Sequence, residues 1–224
     1  MAVSSSEAGY CSFNFVLMDL LYYLSSEENV YFLCKKLCAN GVADADGSDL
    51  YVLLITEEQI IVEILRDASK RADGVILWDY HVVCIQRKRG GDSPCLVWDL
   101  DSSLPFPSPL ASYVSETIRP SFQLFSEYQR FFRIVHAPIF LRFFASDRRH
   151  MKDPAGNWIA KPPSYEPMVA EDKTVHNLNE FIEIRAKDIP TNIGAELIND
   201  VSNKKLGVVM NKNQLEEFFS QVSR

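Results

Sequence analysis

No two of the five cysteines, Cys11, Cys34, Cys38, Cys84 and Cys95, are spaced as Cys-x-x-Cys, and their number is odd. That excludes a disulfide framework or a zinc ribbon and fits a reducing compartment. Cys34 and Cys38 share a helix face, but no His or Cys cluster completes a ligand set. They read as buried small apolar residues, and neither a metal nor a cofactor is expected. Basic charge is also short, with 23 Lys and Arg against 30 Asp and Glu and a net charge of -7. A dedicated nucleic-acid binder needs a basic face to release phosphate counterions, so no nucleic acid is expected as a partner. The run Arg87, Lys88, Arg89 reads as a solvated hairpin tip. No apolar stretch reaches the roughly 20 residues of a bilayer span. Phe13 to Leu24 comes nearest, but Asp19 interrupts it, no Lys or Arg precedes it and no small-x-small site follows. The expectation is a cytosolic monomer, with the nucleus as a second location and no membrane partner. A Gly-x-Ser-x-Gly elbow is absent too, which disfavours a generic serine hydrolase.

What is present is an apolar share of 47% in 224 residues, enough for one sizeable core. The division expected is an atypical leader at 1–25 and a single domain at 26–224. From Glu27, Val30, Leu33, Cys34, Leu37 and Cys38 follow helical spacing, and Gly41 sits where a left-handed terminal residue belongs. Ser25 or Ser26 can cap this helix, Glu28 stands three after Ser25 as in a capping box, and Glu27 and Glu28 complement the helix dipole. Strand-like runs follow at Leu50 to Thr56, Ile60 to Leu65, Gly74 to Gln86 and Cys95 to Leu100. "SSLPFPSPL" must be an irregular loop. Helices are expected at Leu110 to Thr117 and Phe122 to Tyr128, then a strand at Phe131 to His136 and a helix in "APIFLRFFAS". Two more are expected at Leu178 to Ile184 and, behind a capping box of Asn213 with Glu216, at Gln214 to Val222.

Between the third and fourth strand runs lies the loop "RKRGGDSP". A hairpin centred near Gly90 sets opposite each other residues whose numbers sum to about 180, so His81 meets Asp99. A helix with a nucleophile in its first turn, followed by a strand bearing His and a neighbour bearing Asp, is the layout of papain-like and transglutaminase-like thiol enzymes. It implies an α/β (α+β) fold with a central, mainly antiparallel sheet flanked by helices. The helix N-terminus stabilises an anion, the imidazole shuttles a proton and the carboxylate fixes its tautomer. A His beside an Asp on two strands is more often a satisfied structural pair than part of a triad.

The segments "EENVYFLCKKL", "GVILWDYHVV", "VWDLDSSLPFPSPLASYV", "FRIVHAP" and "FASDRRHMKDPAGNW" closely resemble the eukaryotic protein N-terminal glutamine amidohydrolase family, particularly its plant members. The resemblance runs from Glu27 to about Ile184, and the tail "KKLGVVMNKNQLEEFF" is similar to the plant tail. It implies deamidation of an N-terminal glutamine side chain to glutamate with release of ammonia, feeding the N-degron route. The partners are then proteins or peptides with a free N-terminal Gln. In the family a cysteine directly precedes "EEN", so Ser26, His81 and Asp99 occupy the catalytic positions. Asp79 or Asp101 is a candidate for holding the substrate's α-ammonium, although either can cap a turn. Trp78, Tyr80 and Trp98 read as core rather than pocket, Asp147, Arg148 and His150 as a charged turn, and His136 and His176 show no partner.

Ser26 departs from the family, as do the leader "CSFNFVLMDLLYYLSS" and "IIVEILRDASKRADG", which lacks the expected Pro and Trp. Serine can cap a helix, but a dipole that holds a thiolate does not hold an alkoxide at neutral pH. Cys34 lies roughly 12 Å down the helix and Cys84 faces away from His81, so neither substitutes. The expectation is an amidohydrolase by family whose turnover is impaired, with a pseudoenzyme that binds N-terminal Gln as the alternative.

Overall fold

The computed structural model describes residues 26–57, 62–65, 75–78, 80–87, 93–117, 130–159, 161–190 and 194–221. The leader with Phe13 to Leu24, the capping position Ser25, Asp79, Lys88, Arg89 and the expected helix at Phe122 to Tyr128 lie outside these residues.

Strand β1 (Leu50–Glu57) carries the run Leu50 to Ile55 with every side chain buried. A strand that is apolar without alternation must be covered on both faces, and this one is. It pairs antiparallel with β4 (His81–Gln86) on one side and β7 (Arg130–His136) on the other. Outside these lie β5 (Leu96–Trp98), β6 (Ser108–Pro109) and β8 (Val208–Met210), giving one antiparallel sheet in the order β6-β5-β4-β1-β7-β8. A separate pair, β2 (Val62–Leu65) with β3 (Val75–Trp78), replaces part of the long expected run from Gly74 to Gln86. The two-residue strand β6 shows that "SSLPFPSPL" is not wholly irregular.

Helices cover both faces. Tyr51, Leu53, Ile55, Val83, Ile85, Phe132 and Ile134 point toward helices α2 (Leu110–Thr117), α5 (Ala195–Asn203) and α6 (Lys212–Gln221). Val52, Leu54, Val82, Cys84 and Trp98 point the other way. They meet α1 (Ser26–Ala39), α3 (Ala137–Phe143) and α4 (Leu178–Ile182). Leu33 and Leu37 of α1 are fully buried there, each contributing about 1.5–3 kcal/mol. The expected helix at Leu178 to Ile184 ends two residues early, and α5 and β8 were not expected. The cap of α6 is corrected as well. Gln214 N–H donates to Asn211 Oδ1 and Asn211 N–H to Gln214 Oε1, both at 3.0 Å, so the reciprocal box is Asn211 with Gln214 rather than Asn213 with Glu216. Among the described residues no helix is long and apolar enough to cross a membrane.

Arg87 is not part of a solvated tip. It is buried, with Nη1 3.3 Å from Cys95 Sγ and 3.5 Å from the Phe219 carbonyl. Cys34 and Cys84 meet across the α1–sheet interface with Sγ atoms 3.7 Å apart. Both are buried free thiols, as the cysteine pattern suggested.

The entry into β8 depends on Gly207, whose φ is +59° and whose missing Cβ would stand 1.9 Å from the Ile134 carbonyl oxygen. Backbone cannot yield there as a flexible side chain would. Gly207→Ala is therefore expected to lower stability by about 2 kcal/mol or more. Denaturant unfolding monitored by circular dichroism checks this, and an unchanged midpoint would contradict it.

Candidate active site

The hairpin joining β4 and β5 places Cys84 opposite Trp98, Ile85 opposite Val97 and Gln86 opposite Leu96. The register is thus two residues beyond the one expected, which carries His81 toward residue 101 rather than 99. His81 and Asp99 still meet, on a diagonal. His81 Nε2 lies 3.0 Å from Asp99 Oδ1, and both side chains are buried. Diagonal neighbours in a sheet are within reach of a long side chain such as imidazole.

Three further groups hold Asp99. Its Oδ2 accepts a 2.7 Å hydrogen bond from the Tyr113 hydroxyl of α2, and its Oδ1 accepts the Asp101 backbone N–H at 3.0 Å. Burial by itself pushes the Asp99 carboxyl up. The charge and hydrogen bond of His81, with the bonds from Tyr113 and Asp101, outweigh it and leave the group below its ordinary value. Tyr113 shifts the opposite way, raised by burial and by the facing Asp99 carboxylate, so it stays a protonated donor. Nothing in the sequence singled out Tyr113, which looks like any aromatic on an amphipathic helix.

The other nitrogen of His81, Nδ1, faces Asp101, whose Oδ2 is 3.9 Å away. Ligand atoms of His81, Asp99 and Asp101 all lie within 4.8 Å of one another. Three donors for a cation are thus present, but His81 Nε2 and Asp99 are spent on each other.

Ser26 is the first residue of α1, so it is helical rather than the cap. It is 7% exposed. The first turn of α1 is tied to the start of β4, because the Tyr80 hydroxyl, next to His81, donates to Glu27 Oε2 at 2.8 Å. His150 Nε2 approaches Glu27 Oε1 to 3.4 Å. Glu27 and Glu28 are both fully buried, which goes beyond the dipole complement read from the sequence. Glu28 forms an ion pair with Arg148, Nε lying 3.1 Å from each carboxylate oxygen, and accepts the Tyr165 hydroxyl at 2.7 Å. Arg148 adopts φ +60° and gives its remaining donors to the carbonyls of Tyr165 and Glu166. Its guanidinium also lies 4.5 Å from the Tyr165 ring centre. The charged turn at 147–150 is therefore structural at Arg148. His136 and His176 have partners after all, the Ser48 carbonyl at 3.1 Å and Asp147 Oδ1 at 3.2 Å.

Trp98 packs in the core as expected, with Nε1 3.3 Å from Gln86 Oε1, whereas Tyr80 is half-buried at the site. The Trp78 side chain and Asp79 lie outside the described residues. A cavity of about 490 Å³ opens elsewhere, at the β7–β8 end of the sheet. Its buried Arg133 is committed to the carbonyls of Phe181, Glu183 and Leu206.

A buried imidazole clamped by a hydrogen-bonded carboxylate, at the strand end to which a helix's first turn is tied, defines a mixed α/β protein with a site suited to moving a proton. Comparison with known proteins narrows this class. The family described as N-terminal glutamine amidase matches residues 22–219. A protein N-terminal glutamine amidohydrolase of Arabidopsis thaliana is 59% identical over 197 residues, 88% of this chain and 89% of the relative. Its counterpart in Oryza sativa subsp. indica is 52% identical over 198 residues, 88% and 85% of the two chains. That of Bos taurus is 36% identical over 158 residues, 70% and 74%. The chain belongs to the N-terminal glutamine amidase family.

Two variants test the anchors of the site. Removing one partner of a buried ion pair strands the other charge, so Arg148→Met is expected to cost about 3–5 kcal/mol. The double variant with Glu28→Gln should recover part of that loss in a denaturant-based cycle. Tyr113→Phe removes one bond that lowers the Asp99 carboxyl. A carboxyl held below its unfolded value of 3.8 adds stability above that pH, and the contribution is lost as pH falls through the lower folded value. With the bond gone the folded value rises, so the acid-unfolding midpoint of Tyr113→Phe should move to higher pH.

Proposed function

We propose that this chain hydrolyses the side-chain amide of an N-terminal glutamine to give glutamate and ammonia, with His81 as proton carrier, Asp99 as its orienting carboxylate and residue 26 as nucleophile. The observation that carries the reading is the clamp on His81, in a chain whose relatives carry the amidohydrolase name along most of their length. With Nε2 engaged by Asp99, Nδ1 is the nitrogen left to exchange protons with the reacting groups. The residue-26 nucleophile gives its proton to His81 as it adds to the amide carbon, the C–N bond breaks and His81 hands that proton to the departing ammonia. Water, giving its proton back to His81, then cleaves the acyl intermediate, which is an ester on a serine and a thioester on a cysteine. The balance is one amide and one water in, one carboxylate and one ammonium out. Backbone N–H groups of the first turn of α1 supply the oxyanion donors in this scheme.

The same reading takes the architecture as papain- or transglutaminase-like and the substrates as proteins or peptides with a free N-terminal Gln, acted on in the cytosol as part of the N-degron route. The antiparallel sheet with helices on both faces supports the first, and the net charge of -7 agrees with a peptide rather than a nucleic acid as partner.

Ser26 sets the rate. An unactivated hydroxyl is a poor nucleophile beside a thiolate, and full loss of a nucleophile costs on the order of 10⁶ in turnover. Ammonia release from a Gln-initiated peptide should be very slow for this chain and rise by several orders of magnitude in Ser26→Cys. His81→Ala in the Ser26→Cys background should abolish the gain. Silence of both chains towards this substrate would remove the support for residue 26 as nucleophile, and full turnover by the unmodified chain would overturn the mismatch argued for Ser26.

A further inference from the structure

An enzyme confined to terminal glutamine must read the free α-amino group, since an internal glutamine carries the same side-chain amide. In an extended glutamine four bonds of about 1.5 Å each separate the amide carbon from the α-nitrogen, so the two are at most about 5 Å apart. Whatever reads the amine must therefore stand close to the reacting nitrogen of His81. Asp101 stands there. Its Oδ2 is 3.9 Å from His81 Nδ1, too far for a hydrogen bond, and ligand atoms of Asp101, His81 and Asp99 lie within 4.8 Å of one another. The side chain is 31% exposed, whereas that of Asp99 is 3% exposed and already bonded at both oxygens. The backbone places Asp101 firmly, because its own N–H donates to Asp99 Oδ1 at 3.0 Å.

We propose that Asp101 is the residue that recognises the substrate's free α-ammonium, pairing with it while the glutamine side chain reaches residue 26 and His81. This rests on the reading of the site given above. An ammonium against a carboxylate makes charge-assisted hydrogen bonds of about 2.7–2.9 Å, stronger than neutral ones, and a blocked or internal residue forfeits them. Among the described residues, the carboxylates that follow residue 26, Glu27 and Glu28, each accept a tyrosine hydroxyl and have no exposed surface.

Slow turnover makes this chain suited to a binding test. Calorimetric titration with a Gln-initiated peptide and with its des-amino analogue, in which hydrogen replaces the α-amino group, should show the first binding at least tenfold more tightly. In Asp101→Asn, which keeps size and backbone bond, that preference should disappear through weaker binding of the amine-bearing peptide alone. Asp101→Glu should restore part of it, and unchanged unfolding midpoints establish that both variants fold. Equal weakening of both peptides in Asp101→Asn would overturn the proposal and make Asp101 a support for His81. An unchanged preference would overturn it too, leaving the reading of the site intact. If neither peptide binds the unmodified chain, the reading of the site falls and this proposal with it.

Discussion

A fully buried carboxylate has to be answered by a charge, and in this chain Glu28 is answered by Arg148, 120 residues away. Much of the site's construction follows from that requirement. To bring its guanidinium alongside Glu28, Arg148 takes a left-handed backbone conformation, which nothing in an arginine side chain favours. Its other donors go to the carbonyls of Tyr165 and Glu166, and Tyr165 returns a hydroxyl to the same carboxylate. The first turn of α1 is thereby fixed to the segment behind it. Glu27, one residue earlier, fixes the same turn to β4 through Tyr80. Two acidic residues directly after position 26 thus tie its turn both to Tyr80, the neighbour of His81, and to Arg148 and Tyr165.

The second network is smaller and aimed differently. Tyr113, Asp99 and His81 form a line of hydrogen bonds running from α2 through the residue after β5 to β4, each member buried. In a region of low dielectric such a line holds a single tautomer and ring orientation more firmly than one bond would. A tyrosine raised in pKa by burial and by its acidic neighbour remains a donor, so Asp99 keeps a hydrogen-bond partner on Oδ2. The consequence is directional. In the proposed reaction, proton traffic falls to Nδ1, which lies 3.9 Å from Asp101 Oδ2.

Local signals carried the sequence reading where the relevant partners lie a few residues apart. Helix α1, strands β1 and β7 and helix α2 follow from periodicity and punctuation, and the His81–Asp99 meeting follows from a hairpin loop. That loop also shows the limit. Centring it one residue early displaced the register by two, and the contact survived only because imidazole spans a diagonal. Arg87 looked like a surface charge beside Lys88 and Arg89, yet it is drawn inward by Cys95 and by the Phe219 carbonyl on a helix 132 residues on. Asn211 and Gln214 make the cap that Asn213 and Glu216 were expected to make, because both pairs satisfy the same sparse pattern. Glu27, Glu28 and Tyr113 escaped for a different reason. Their residue types are ordinary where they stand, and what distinguishes them is burial against distant partners, which spacing along the chain does not encode.

Ser26 is the point where these networks and the chemistry separate. The hydrogen bonds described above that anchor the first turn of α1 are made by Glu27, Glu28 and their partners, and none of them uses a thiol. A serine can therefore occupy position 26 without disturbing the scaffold, since it differs from cysteine by one atom in a turn held from the neighbouring residues. The scaffold's indifference is what makes the substitution informative. Structural stability places no demand on sulfur at position 26, so a preference for cysteine there has to come from reactivity, from the thiolate that a helix N-terminus and an oriented imidazole can sustain and an alkoxide they cannot.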